Sequence, residues 1–300
     1  MKRILVVYNS RSSRFKDVRK EVLDVLAKKD SVMVGKYEVV DTDVDDNAKK
    51  LAKVIQDGDL VLAVGGDATA VIAANGILMS EKKATLSVLP YGNFNDLART
   101  LGTKKIDDAF GATKKKMWPL EILVDDKHFR FATCYVTLGM TAEAVELFDD
   151  EKVRKKLQRG SKSSWRSYLQ LAGWYFRNRK KKIFLPEFKL NGVLMDKRVS
   201  DYAALNGRSM ARVMKGGDWF LRSRVFWSET GKLTNFWNLF VLMVKSILVR
   251  TPGRETSGDV IEFVEPATVE LQAEGEYRVL KQVKKIEIRK AEKCLDVKAY

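Results

Sequence analysis

The chain has 300 residues, 45% hydrophobic and 31% charged, with 55 lysines and arginines against 39 aspartates and glutamates for a formal net charge of +16. This composition excludes a disordered or collagen-like chain, and five prolines with 19 glycines argue against long flexible linkers. The length suits two modest domains or one large one, and the charge favours polyanionic partners: nucleotides, nucleic acid or an anionic membrane.

The predicted elements begin with a continuous apolar strand at Arg3–Tyr8. A helical pattern follows at Val18–Ala27, then a strand at Tyr37–Val40 and a helix at Asn47–Gln56. Leu60–Val64 reads as a second buried strand, Ala70–Leu78 as a helix, Leu86–Leu89 as a strand and Asn95–Leu101 as a short helix. Strand and helix in alternation predict an open, mostly parallel α/β sheet, in which ligands bind beyond the carboxyl ends of the strands. From about Glu121 the pattern turns to short alternating runs: Glu121–Val124, Phe129–Val136, Ile183–Leu190, Tyr202–Leu205, Arg224–Phe226, Val260–Val264, Thr268–Ala273 and Ile286–Ile288. These predict a C-terminal antiparallel β-sandwich with helical excursions at 142–182 and 235–250.

Two strand ends carry unusual turns. Gly65-Gly66-Asp67-Ala68-Thr69 runs from an apolar strand straight into a helix. Its glycines allow phosphate oxygens near the backbone, the helix N-terminus adds partial positive charge, and Asp67 could hold a bridging metal. A strand-to-helix turn in which Asp67 only caps the helix fits the same spacing. The second turn, Pro90-Tyr91-Gly92-Asn93-Phe94-Asn95-Asp96, again offers a glycine, amide side chains and a carboxylate, and shifts the balance toward a site. After the first strand, Asn9-Ser10-Arg11-Ser12-Ser13-Arg14 adds hydroxyls and two arginines suited to a polyphosphate. No Walker-type or dinucleotide fingerprint is present.

In these turns the chain resembles the soluble diacylglycerol kinase and sphingosine kinase family of lipid kinases, whose nucleotide domain is related to NAD kinases and phosphofructokinases. The family's GGDGT turn is matched by Gly65 to Thr69, its helical Asn-Gly pair by Asn75-Gly76, and its P-x-G-T-G-N-D-F-A-R turn by Pro90 to Arg99. Its Asn-Pro-x-Ser-Gly loop corresponds to Asn9–Ser13, a nucleotide-contacting threonine to Thr42, and its Asp-Gly-Glu to Glu274-Gly275-Glu276. The resemblance implies ATP as phosphoryl donor, Mg2+, and a lipid hydroxyl as acceptor. It implies nucleotide contacts from Asn9, Ser12, Thr42, Gly65, Gly66, Asp67, Ala68, Thr69, Gly92, Asn93 and Asn95. Asp67 and Asp96 would organise the metal, with Asp218 standing in for a lost ligand. Catalytic roles would fall to Asp67, to Glu274 in place of the base aspartate, and to Glu276 beside it. Domain one is expected at 1–120, joined by the tail 285–300, and the lipid-substrate domain at 121–284.

The chain also departs from the family. Ala68 replaces a glycine, which would penalise a positive φ by about 1 kcal/mol. Asn93 and Phe94 replace a threonine and a glycine where a ligand or backbone should pass closely. Glu274 is one methylene longer than aspartate, and such a displacement can lower a rate by about 100-fold. Family carboxylates fall near Pro119, with Glu121 a substitute, and near Leu221-Arg222. A relative that binds lipid or nucleotide without turnover is therefore the second reading. A basic nucleic-acid-binding protein is the third, and it leaves both glycine–aspartate turns unexplained.

Lys152–Lys182 holds twelve basic residues and no acidic one, with Trp165, Tyr168, Leu169, Ala172 and Phe176 at helical spacing. Such a helix suits an anionic bilayer, although packing of its apolar face on the β-domain fits as well. The apolar segment Phe236–Val249 is broken by Asn238, Lys245 and Ser246 and falls short of the about 20 residues that span a bilayer. The expected location is the cytoplasm, peripheral to the inner membrane surface; a homodimer is the other partner considered. Cys134 and Cys294 are expected reduced, and His128 is expected in a turn.

Overall fold

The computed structural model describes residues 3–10, 12, 14–28, 32–40, 43–92, 94–143, 173, 176–177, 184–195, 198–210, 214–216, 222–228 and 254–300, with 215 and 222–228 described in backbone alone. Asn93 and the two helical excursions, apart from a few residues, lie outside that set, as do Thr42, Asp218 and Phe236–Val249. Of the basic aromatic segment, Phe176 is described and is exposed.

The chain divides into two units, the first comprising Met1–Pro119, Arg130–Cys134 and Ala291–Tyr300. Its opening strand β1 (Arg3–Tyr8) is buried from Ile4 to Val7, the continuous apolar run of a strand covered on both faces. Helix α1 (Phe15–Val18) passes through a π-helical turn at Arg19–Leu23 into α2 (Asp24–Ala27). Strand β2 (Met33–Glu38) and helix α3 (Val44–Ala52) follow. The helix begins earlier than its apolar spacing predicts. The Asp43 carboxylate caps it by accepting from the amides of Asp45 at 2.9 Å and Asp46 at 3.0 Å. Then come β3 (Leu60–Gly65), α4 (Asp67–Ser80), β4 (Thr85–Pro90), α5 (Asp96–Leu101), α6 (Ile106–Gly111) and β5 (Thr113–Met117). Helix α4 is buried from Thr69 to Leu78. Its Gly76 meets α3 closely: an added Cβ would lie 2.9 Å from Leu51 Cδ2.

The sheet order is β2-β1-β3-β4-β18-β5, where β18 is Leu295–Ala299. Strands β1 to β4 are parallel, and β18 is parallel to β4 and antiparallel to β5. The chain leaves β1 in one direction toward β2 and in the other toward β3, which makes the β1/β3 boundary the topological switch point. Asn75 of α4 holds the short returning segment. It accepts from the Phe131 amide at 3.1 Å and donates to the Phe131 carbonyl at 2.9 Å. In the same segment the fully buried Arg130 makes a two-pronged ion pair with Asp45 at 2.8 and 2.5 Å.

The second unit comprises Leu120–Phe129 and Tyr135–Lys290. Its strands in chain order are β6 (Leu120–Val124), β7 (Lys127–Ala132), which runs on into the returning segment, β8 (Tyr135–Gly139), β9 (Phe188–Leu190), β10 (Val193–Leu194), β11 (Arg198–Leu205), β12 (Ser209–Met210), β13 (Met214–Lys215), β14 (Arg222–Ser228), β15 (Arg254–Glu255), β16 (Gly258–Ala273) and β17 (Glu276–Lys290). A ten-stranded sheet carries the order β15-β14-β11-β8-β16-β17-β6-β7, with β9 on β16 and β10 on β9; β12 and β13 pair separately. The C-terminal unit is thus antiparallel, as the alternating pattern predicts.

Three local readings differ from the structure. Val260–Val264 and Thr268–Ala273 are one strand, interrupted by a register shift between Glu262 and Val269 that holds Pro266, a residue that cannot donate to the ladder. Phe129–Val136 is two strands broken at Thr133-Cys134. His128 lies on β7, 3.1 Å from a Glu121 carboxylate oxygen, because Asp125 and Asp126 take the left-handed turn positions at φ 48° and 62°. Both cysteines are free thiols, and no helix among the described residues is long and apolar enough to cross a membrane.

Candidate functional site

The loop that leaves β1 is held by backbone bonds from the Ser12 amide to the Asn9 carbonyl and from the Phe15 amide to the Ser12 carbonyl, both 3.1 Å. The β3 and β4 turns lie beside it in the sheet order. Gly66 is the extended N-cap of α4 at φ −90°, so neither it nor Gly65 is needed for a left-handed backbone. They are needed for space. A Cβ on Gly65 would fall 2.4 Å from Thr69 Oγ1, and one on Gly92 would fall 2.3 Å from Gly66 Cα. The two glycine turns therefore touch backbone to backbone.

Asp67 fastens them. Its Oδ2 accepts from the Asn95 amide at 3.0 Å and its Oδ1 from the Asp96 amide at 2.6 Å. Burial pushes the Asp67 carboxyl above the usual carboxylate range, against the opposing pull of those amides and of the Arg99 charge. Asn95 closes its own turn, accepting from the Gly92 amide at 2.8 Å and donating to the Gly92 carbonyl at 2.7 Å. The buried Asp96 carboxylate pairs with Arg99, whose guanidinium also donates to the Phe94 carbonyl at 2.9 Å.

The first turn of α4 suits an anion. No side chain caps it, so the amides at its start point out along the axis, with the positive end of the helix dipole behind them. Ala68 sits in this turn, exposed and helical, and its methyl therefore carries no left-handed penalty. The left-handed residue of the second turn is Asn95 at φ 55°, a residue type that tolerates it, and Phe94 takes no such conformation. Thr69 is buried against Gly65 and shapes the turn.

Magnesium fits the described side chains less well than phosphate does. Asp67 commits both oxygens to amides, and Asp96 is buried against Arg99. Among the described residues no group of three or more histidines, cysteines and carboxylates could hold an ion.

Glu274 and Glu276 belong to the second unit. Glu274 at φ 52° and Gly275 at φ 87° form the hairpin turn between β16 and β17, where asparagine or aspartate before glycine is the usual choice. Glu274 is buried, and Glu276 pairs with Arg278 at 2.7 Å. The structure thus brings together Gly65, Gly66, Asp67, Thr69, Gly92, Asn95 and Asp96, with Asn9 and Ser12 at the neighbouring strand end. Sequence reasoning assigned no role to Tyr91 or Glu21. The Tyr91 hydroxyl donates to Glu21 at 2.7 Å, and only the placement of Tyr91 inside a glycine turn hinted at it.

An open α/β sheet with one glycine–aspartate turn at its switch point and a second on the next strand defines the class of the first unit. Residues 3–121 match the family described as the diacylglycerol kinase catalytic domain. A diacylglycerol kinase of Bacillus subtilis (strain 168) is 34% identical over 110 residues, 36% of this chain and 35% of the relative. The chain thus matches about a third of that relative's length. A solved structure from Bacillus anthracis str. Sterne superposes with a TM-score of 0.68 at 18% identity, covering 100% of this chain and 97% of its own. A diacylglycerol kinase of the same organism does so with a TM-score of 0.63 at 14% identity and the same coverage. The structures show the fold, and the likeness in sequence to the diacylglycerol kinase catalytic domain is confined to residues 3–121.

Proposed function

We propose that the chain is an ATP-dependent lipid kinase that transfers the γ-phosphoryl group to a hydroxyl of diacylglycerol or a related lipid alcohol at an anionic membrane surface. The observation that carries this reading is the pair of turns held by Asp67 beside an uncapped helix N-terminus, within the region that matches the family. In this reading the amides of Gly66, Asp67 and Ala68 face nucleotide phosphates, and Asn9, Ser12, Thr42 and Asn93 add contacts. Phosphoryl transfer asks mainly for positioning and charge stabilisation. The bond from the lipid oxygen to the γ-phosphorus forms as the bond to the β-phosphate bridge breaks. Glu274, with Glu276 beside it, is the carboxylate proposed to take the hydroxyl proton. The basic segment 152–182 is the proposed membrane contact.

The test is transfer of labelled γ-phosphate from Mg-ATP to a panel of lipids in anionic mixed micelles. Asp67→Ala runs alongside, its folding checked by circular dichroism. Transfer to one lipid class, lost in a folded variant, supports the proposal. Nucleotide binding without transfer to any lipid would leave a binding protein in place of an enzyme.

A further inference from the structure

We propose that the Tyr91–Glu21 hydrogen bond is a positioning clamp that sets the turns for the phosphates of a nucleoside triphosphate; this rests on the nucleotide reading above. Tyr91 joins three strand ends. Its hydroxyl donates to Glu21 Oε2 at 2.7 Å, and its amide donates to the Gly65 carbonyl at the end of β3 at 2.9 Å. Arg14, in the loop after β1, lies over its ring with the guanidinium carbon 4.9 Å from the centroid, and donates to the Pro90 carbonyl at 3.3 Å. The residue after Tyr91 is Gly92, the one in backbone contact with the N-cap of α4. Any shift of Tyr91 therefore moves Gly92 against Gly66, and the spacing of the two turns is fixed from Glu21.

The helix that carries Glu21 supports this role. Glu21 lies inside the π-helical turn Arg19–Leu23. Such a turn holds one extra residue, which re-aims the side chains around it by roughly 100° relative to a regular helix, and π-turns occur frequently at functional sites. Burial and the bond to Glu21 hold the Tyr91 phenol well above its usual range, so it remains a donor at physiological pH.

The test is calorimetric titration of the full chain with Mg-ATP, using Tyr91→Phe, Glu21→Ala, their double variant and Glu21→Gln. Loss of a hydrogen bond to a charged group predicts about a tenfold weaker Kd for each of the first two. The double variant should lose no more than either single one, because both remove the same bond. Glu21→Gln keeps a carbonyl acceptor and should recover most of the affinity, while KM for lipid stays at its wild-type value. Glu21 is exposed on its helix, so Glu21→Ala remains testable if Tyr91→Phe folds poorly. Wild-type affinity in both single variants, or additive losses in the double, overturns the clamp alone. Absence of Mg-ATP binding by the wild type overturns the nucleotide reading and the clamp with it.

Discussion

Gly92→Ala tests the contact between the two turns most sharply, because the structure fixes both the sign and the size of the effect. The new Cβ would sit 2.3 Å from Gly66 Cα and 3.1 Å from the Gly66 nitrogen. Carbon atoms rest at about 3.5 Å or more, so the turns must part by roughly 1.2 Å. Both partners are backbone, and no side chain can rotate away to absorb the shift. That separation stretches the bond between Asp67 and the Asn95 amide from 3.0 Å past useful length and weakens the one to the Asp96 amide. Overpacking costs about 1–3 kcal/mol, and weakened bonds to a charged acceptor add to it, giving about 3 kcal/mol. In a unit of this size that lowers Tm by roughly 10 °C. The control is Gly58→Ala. Gly58 has φ 83° but nothing within 4 Å of an added Cβ, so it should lose only about 1 kcal/mol. Urea and thermal unfolding of both variants measure the difference. If Gly92→Ala is no less stable than Gly58→Ala, the two turns do not touch in the manner described.

Three further outcomes are expected. The Ser87 hydroxyl, fully buried on β4, has no hydrogen-bond partner among the described residues, so Ser87→Ala should stabilise by about 1 kcal/mol; a lower urea midpoint would contradict this. Asp45→Ala removes the two-pronged ion pair of the buried Arg130 guanidinium and should cost about 3 kcal/mol, whereas Arg130→Met leaves a partly exposed carboxylate and should cost less; the reverse order would refute the pairing. The raised Asp67 pKa means the folded state favours its protonated form. Its contribution is therefore full below the unfolded pKa of about 4 and is lost as pH rises through the folded value. The stability of the wild type relative to Asp67→Asn should accordingly fall as pH rises above about 4; a relative stability that rises would show that the amides and Arg99 outweigh burial.

What could be read from the sequence follows from where each residue lies. Strands β1, β3 and β4 are continuous apolar runs because both of their faces are covered, and the glycine turns are visible because contact between backbones tolerates no side chain. Strand β5 was not foreseen. Lys114, Lys115 and Lys116 lie on an exposed edge strand, where lysines are tolerated and no apolar periodicity survives. The start of α3 was set by the Asp43 cap rather than by apolar spacing. The concern over Ala68 came from assuming a left-handed backbone there, whereas Ala68 is helical and Asn95 takes the positive φ. The Tyr91–Glu21 bond joins residues 70 apart in sequence, and neither residue type announces the other.

The central claim is that nucleotide phosphates rest on the amides at the start of α4, and hydrogen–deuterium exchange with and without Mg-ATP addresses it most directly. The account predicts slowed exchange in peptides covering Gly65–Ala70 and Gly92–Asp96, with that protection weakened in Gly92→Ala. Binding of Mg-ATP with protection elsewhere and none in these two turns would contradict it.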